Sequence, residues 1–330
     1  MNSRERVIAA IEYKKPDRMP LMLAGIGFSQ LSAYPESLFP NDIFHDGPGF
    51  YEEGCLPGRN MDNWGCEWLN LKPPSLGQVI GHPLKDDAAL DSYQPPAAED
   101  LDLSGARYMG ENRGDKYFVL GYISLFERLI NLRGFEDLLI DIAIDQEYVI
   151  RMRDMVLNYN LKLIDRLLEL NPDAVYLADD WGSQISLMIS PASWRKLFLP
   201  AYRKMIDKIK NAGAHIFFHS DGYVLDILPD LIEAGVNVFW VEFGVNPLNL
   251  LRQAAHGKSA YLALYDTQAV ELDTEEAMIE HIRRCVEMFN SADGGFIAQY
   301  YLGEGEQEYR YVEHGLRILE FYKEIINAVT

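Results

Sequence analysis

From Lys116 onward the chain alternates short apolar runs with longer amphipathic ones, and this rhythm constrains the fold more than any other feature. Strand-like runs fall at Lys116–Tyr122, Ala174–Ala178, His215–Phe218, Val236–Val241, Ser259–Leu264 and Gly295–Ala298. Helical spacing fills Leu125–Arg133, Phe135–Ile142 and a long stretch from Gln146 to Leu170, where Val149, Met152, Val156, Tyr159, Leu163 and Leu167 recur near the 3.6 period. A helix then opens at Ser190-Pro191, an N-cap followed by proline, and runs to about Asn211. Others follow at Leu225–Ala234, Pro247–Ala255, Thr274–Asn290 and Glu308–Ala328. Strands and helices joined by short links imply a parallel sheet with right-handed crossovers. At least seven βα units can be counted, with room for an eighth. No G-x-G-x-x-G opens a helix directly after a strand, which disfavours a dinucleotide-binding doubly wound sheet. The reading is an α/β fold, a (β/α)8 TIM-type barrel.

The N-terminal third is less regular. Ser3–Tyr13 has helical apolar spacing, with Asn2 and Glu5 at capping-box distance, although Ser3 could cap instead. Pro16 ends that helix, and Met19–Ala24 reads as a first strand. From Gly25 to about Leu103 the pattern weakens; Asp62–Trp68 (DNWGCEW) suits one short strand, and SYQPPAAEDL suits a surface loop. The segment is too apolar for disorder. Residues 1–330 are therefore expected to form one barrel domain, with 1–110 an N-terminal elaboration plus the first strand and 111–330 the regular units.

Charge and cysteine content exclude several functions. A net charge of -20 disfavours nucleic acid and anionic membrane as partners, since phosphate binding needs clustered Lys and Arg. Cys55, Cys66 and Cys285 lack paired spacing, which argues against a disulfide framework. The charged N-terminus has no apolar core of a secretory signal, and no window approaches a spanning helix. The expected location is the cytoplasm.

In a barrel of this type, functional groups sit at the C-terminal ends of the strands. Two stretches of similar design stand out: AVYLADDWG (Ala174–Gly182) and AHIFFHSDG (Ala214–Gly222). The strand-end positions are Tyr122; Asp179, Asp180, Trp181 and Gln184; His219, Ser220 and Asp221; Glu242; Tyr265 and Asp266; and Gln299, Tyr300 and Tyr301. His219, Asp221 and Glu242 are candidate metal ligands, three N/O donors that leave a position for substrate, and carboxylates shift preference from zinc towards harder ions. His219 could instead cap its strand, and Asp221 a helix near Val224. Side chains alternate along a strand, so only one of Asp179 and Asp180 reaches the mouth as acid, base or ligand. Glu242 sits among apolar neighbours that raise its pKa unless it is paired; a salt bridge to a neighbouring strand end is the alternative. Asp180, His219 and Glu242 are the catalytic candidates. Tyr122, Asp179, Trp181, Gln184, Asp266, Gln299 and Tyr300 are the substrate-binding candidates, with rim packing the alternative for Tyr300 and Tyr301.

The opening RERVIAAIEYKKPDRMPL, the segment DNWGCEW, the block ADDWGSQISLMISP, the run HIFFHSDGYVLDILPDLIEAGVNVFWVE and the late GGFIAQ together carry a resemblance. Through them the chain resembles the uroporphyrinogen decarboxylase superfamily over nearly its whole length. One branch decarboxylates a porphyrinogen without a cofactor and grips its carboxylates through an Arg-rich, Gly-containing segment; Gly25–Pro40 here contains no Arg. The other branch comprises methyltransferases that bind zinc through H-x-C and a distal Cys and work with a corrinoid protein. His219 is kept, but Asp221 stands at the H-x-C cysteine and Tyr300 lies near the distal one, so a two-cysteine zinc site is excluded. The resemblance thus implies a methyltransferase acting between a small O- or N-methylated compound, or a thiol acceptor, and a corrinoid protein. A divalent metal, zinc or harder, would assist. A cofactor-free uroporphyrinogen decarboxylase and a non-catalytic ligand-binding relative are the alternatives, and a homodimer is compatible with the family.

Overall fold

A computed structural model describes residues 1–24, 37–38, 40–72, 76–144, 146–263, 275–301 and 309–329. Eight parallel strands form one sheet: β1 (Leu21–Ala24), β2 (Ile43–Asp46), β6 (Tyr117–Ile123), β7 (Ala174–Ala178), β8 (His215–Ser220), β9 (Val238–Val241), β10 (Ala260–Ala263) and β11 (Phe296–Tyr301). Their order, β1-β11-β10-β9-β8-β7-β6-β2, leaves β1 and β2 as the two edges. These edges meet: the Asp42 N–H donates to the Leu21 carbonyl at 2.8 Å, the Leu21 N–H to Asp42 Oδ2 at 2.9 Å and the Leu23 N–H to Asn41 Oδ1 at 3.0 Å. Side chains thus complete the seam of the expected (β/α)8 barrel.

The core has two compartments. Alternate residues Met22, Val119, Tyr176, Phe217, Leu262 and Ile297 fill the lumen, which the helix Ser3–Ile11 closes from below with Val7 and Ile11. The other strand faces pack against the helical ring. Asn2 caps the first helix in a complete capping box with Glu5. Asp42 also receives Arg6 Nη1 at 2.8 Å and Arg18 Nη1 at 2.8 Å, tying that plug to the seam.

Three details differ from expectation. The helix expected through Asn211 is two, Pro191–Leu197 and Leu199–Asn211, broken at Phe198 where Pro200 restarts the turn. DNWGCEW is mostly a turn: β3 (Gly58–Met61), β4 (Glu67–Asn70) and β5 (Gln78–Gly81) form a separate antiparallel sheet. Asp62 accepts from the Trp64 and Cys66 N–H groups, from Trp68 Nε1 and from Arg128. The eighth barrel strand is β2, four residues hidden in the irregular segment.

The loops after β7 and β8 cross in direct contact. A Cβ on Gly182 would lie 2.3 Å from Tyr223 N and 2.4 Å from Gly222 C. Gly222 has φ +74, a backbone that L side chains rarely adopt. The Tyr223 N–H donates to the Ser183 carbonyl at 2.9 Å, and the Trp181 N–H to Ser220 Oγ at 3.0 Å. Each strand-end motif therefore ends in glycine because two backbones share one space.

Replacing Gly182, which has no positive φ, with Ala tests the contact alone; G222A adds a left-handed penalty of about 1–2 kcal/mol. Both variants should lower the urea midpoint, G222A more. Asp42→Ala removes the only carboxylate partner, among the described residues, of the half-buried Arg18 and one of two from the buried Arg6, which keeps Asp17, and should cost about 1–3 kcal/mol in urea denaturation.

Candidate functional site

The strand ends of β7 and β8 bring Asp180, His219 and Asp221 together. One ligand atom from each lies within 4.8 Å of the others. His219 Nε2 is 3.7 Å from Asp180 Oδ1 and 3.5 Å from Asp221 Oδ1, too long for good hydrogen bonds and suited to a shared cation. His219 Nδ1 is 2.9 Å from the Trp240 carbonyl, which can only accept. Nδ1 therefore carries a proton, and in the neutral ring the Nε2 lone pair faces the carboxylates. The Asp221 N–H donates to Asp180 Oδ1 at 2.8 Å, which holds the loops in register. Burial raises the Asp221 carboxyl, His219 opposes this, and Asp180 adds to it. One imidazole nitrogen and two carboxylates fit a divalent ion with oxygen preference. None of the three cysteines joins the group; the Cys66 thiol is buried, is pushed up to about 12 and donates to the Asn131 carbonyl.

Other expected residues lie elsewhere. Glu242 is 9% exposed, accepts from the Gly222 N–H at 3.2 Å and is not among the three converging donors. Asp179, the neighbour of Asp180, points into the wall. It accepts from the Leu125 N–H at 2.8 Å, the Glu127 N–H at 2.8 Å and the Tyr202 hydroxyl at 2.5 Å, anchoring the helix Phe126–Arg133. Burial pushes its carboxyl up to about 7 against those bonds. Trp181 is fully buried, stacks on Phe126 at 4.0 Å and donates to the Tyr202 hydroxyl. These two residues support the site without reaching the mouth. Gln184 is exposed on a loop. Tyr300 faces the helical ring and donates to the Pro40 carbonyl at 2.7 Å, so its hydroxyl is turned away from the lumen. Gln299 is buried on the face shared with Ile297, and its amide has no hydrogen-bond partner among the described residues. Tyr265 and Asp266 lie outside the described residues.

The structure adds residues that sequence reading passed over. Glu127 accepts from the Tyr122 hydroxyl at 3.3 Å, and burial together with Asp180 and Asp179 lifts its carboxyl well above the usual range. Tyr176 stands at the centre of an aromatic group: its ring lies 4.9 Å from His45, 5.9 Å from Tyr122, 5.8 Å from Trp240 and 6.3 Å from His219. A chamber of 380 Å³ opens among His45, Asp46, Phe50, Glu52, Tyr122, Tyr176 and Trp240. Alternation along β7 and β9 could have placed Tyr176 and Trp240 inside, two turns of the pleat and one below Asp180 and Glu242. Nothing in the sequence marked His45 or Asp46, because β2 is short and its neighbourhood irregular.

Residues 118–300, more than half of the 330-residue chain, match the family model described as uroporphyrinogen decarboxylase (URO-D). Among solved structures, the chain is similar to a methyltransferase from Methanosarcina mazei, with TM-score 0.76, 15% identity and coverage of 98% of this chain and 99% of that one. It is also similar to a B12-independent methionine synthase from Shewanella sp. W3-18-1, with TM-score 0.54, 11% identity and coverage of 91% and 87%. At such identities these likenesses speak for the shared fold. No curated protein sequence matches the chain. The sequence motifs, the barrel and the family match agree: this chain belongs to the uroporphyrinogen decarboxylase family.

Proposed function

We propose that the chain is a methyltransferase that moves a methyl group between a small O- or N-methylated compound, or a thiol acceptor, and a corrinoid carried by a partner protein in the cytoplasm. The observation that carries this reading is the convergence of Asp180, His219 and Asp221 at one strand-end position. A divalent metal held there would act as a Lewis acid towards the heteroatom of the donor or acceptor. The methyl carbon leaves without its bonding pair, which remains on the donor heteroatom, and the new bond uses the acceptor's pair. A donor oxygen then gains negative charge that needs a cation or a proton. Asp180 and Asp221 supply the anionic pair, His219 presents Nε2 because Trp240 holds Nδ1, and Glu127 holds a proton beside Tyr122. The buried ring of Tyr176 and the half-buried ring of Trp240 give that side an apolar wall.

Two features weigh against porphyrinogen decarboxylation. A polycarboxylate needs cationic partners, yet Gly25–Pro40 has no Arg, and among the described residues neither Lys nor Arg lines the chamber. The thiolate-free donor set moves the metal preference from zinc alone towards zinc, cobalt or manganese.

Incubation with Zn, Co or Mn followed by elemental analysis should find about one ion per chain, and His219→Ala should lose it along with methyl transfer; a wild-type chain that retains no ion removes the metal-assisted reading. Uroporphyrinogen should be recovered unchanged after incubation with the protein. For an O-methyl donor, Glu127→Gln should keep metal binding but lower the transfer rate by about 10²-fold or more. Since Glu127 must be protonated, wild-type rate should be present below its raised pKa and fall as pH rises through it. E127Q should lose that alkaline limb.

A further inference from the structure

The chamber beside His219 carries information about substrate charge. Its walls are rings set at steep angles to one another: Phe50 to Tyr122 at 4.9 Å and 81°, Tyr122 to Tyr176 at 5.9 Å and 57°, and Tyr176 to Trp240 at 5.8 Å and 44°. They form one contiguous aromatic wall along an open cavity. The acids at its rim, Asp46 and Glu52, have no ion-pair partner among the described residues. His45, the remaining basic group on the wall, is biased towards its neutral form by burial and has Nε2 3.3 Å from the Gly121 carbonyl.

A second cavity, of 480 Å³, shares Asp46, Gly47, Phe50, Glu52 and Tyr122 with the first and extends the same charge outward through Glu53, Asp100 and Asp102. Its one described guanidinium, Arg128, is already held by Asp62 at 3.0 Å and lies over Tyr51 and Trp64 at 4.6 Å and 4.9 Å. The approach and the chamber are therefore anionic, and the chamber is aromatic as well. A compact metal ion would exchange its oxygen shell for ring faces there, an unfavourable trade. A neutral guest would leave the half-buried Asp46 carboxylate without a counter-ion, while the exposed Glu52 stays hydrated. A large, weakly hydrated organic cation satisfies both, because ring faces attract it and the acids neutralise it.

We propose that the chamber of Phe50, Tyr122, Tyr176 and Trp240, rimmed by Asp46 and Glu52, binds the alkylated ammonium group of a cationic substrate. This rests on the methyltransferase reading for the word substrate, but the binding site stands on its own geometry. The sign is opposite to that of a porphyrinogen polycarboxylate. None of Asp180, His219 and Asp221 lines the chamber, so the two positive charges do not share ligands.

Calorimetry on the full chain, without metal or corrinoid protein, should show choline binding at one site per chain. Its uncharged isostere 3,3-dimethylbutan-1-ol should bind at least about tenfold more weakly. Phe50→Leu, at a partly exposed ring, and Asp46→Asn should each weaken choline about tenfold while urea midpoints stay near wild type. Equal affinity for the two probes, no choline binding, or well-folded variants that bind choline as wild type does would overturn the proposal. Choline binding without methyl transfer from any donor would sink the enzymatic reading and leave the site in place. Methyl transfer from a neutral methyl ether with no choline binding would do the reverse.

Discussion

Gly182 and Gly222 touch backbone to backbone, and the functional mouth depends on that contact. Two loops that follow adjacent parallel strands normally diverge around their own side chains. Here the absence of both Cβ atoms lets them cross, and the hydrogen bonds from Tyr223 to Ser183 and from Trp181 to Ser220 lock the crossing. Asp180 precedes one glycine by two residues and Asp221 precedes the other directly, so the crossing determines how close their carboxylates come. The Asp221 N–H to Asp180 bond is the last stitch.

The crossing also separates two neighbours of the same type. Asp179 and Asp180 point to opposite faces of β7's extension, as strand geometry requires. Asp179 meets three donors in the wall and fixes the start of the helix that presents Glu127. Asp180 faces the lumen and His219. One carboxylate therefore organises the backbone that positions a second acid, while its neighbour provides the open donor. Glu242 plays a related part: it receives the Gly222 N–H and steadies the left-handed turn from behind.

Electrostatics runs in one direction across the mouth. Asp46, Glu127, Asp180 and Asp221 gather around a ring-lined space, and burial raises the Asp46, Glu127 and Asp221 carboxyls. Such an arrangement is costly unless a proton, a metal or an organic cation offsets it. On the proposed reading the three remedies would have different addresses: a proton at Glu127, a metal between Asp180, His219 and Asp221, and an alkylated ammonium group among the rings.

Periodicity pointed to the barrel, because each strand from β6 to β11 is an apolar run bounded by glycine, proline or a polar turn, but it did not reveal β2, the strand that closes the sheet. Strand-end position likewise placed His219, Asp180 and Asp221 among its candidates, with Glu242 rather than Asp180 expected beside His219 and Asp221 as a metal ligand. Sequence could not choose between Asp221 and Glu242 as partners of His219, since both follow strands and the choice turns on which carboxylate the Gly182–Gly222 crossing swings inward. Nor could it show that Asp179, Trp181 and Tyr300 face the wall, or that His45, Phe50 and Tyr176 share a chamber with Trp240. Those facts arise from barrel closure, which brings β2 beside β6 and sets residues more than a hundred positions apart into ring contact. Alternation along one strand is local chemistry and is written in the chain; which side chains meet across the lumen is decided by the closed sheet.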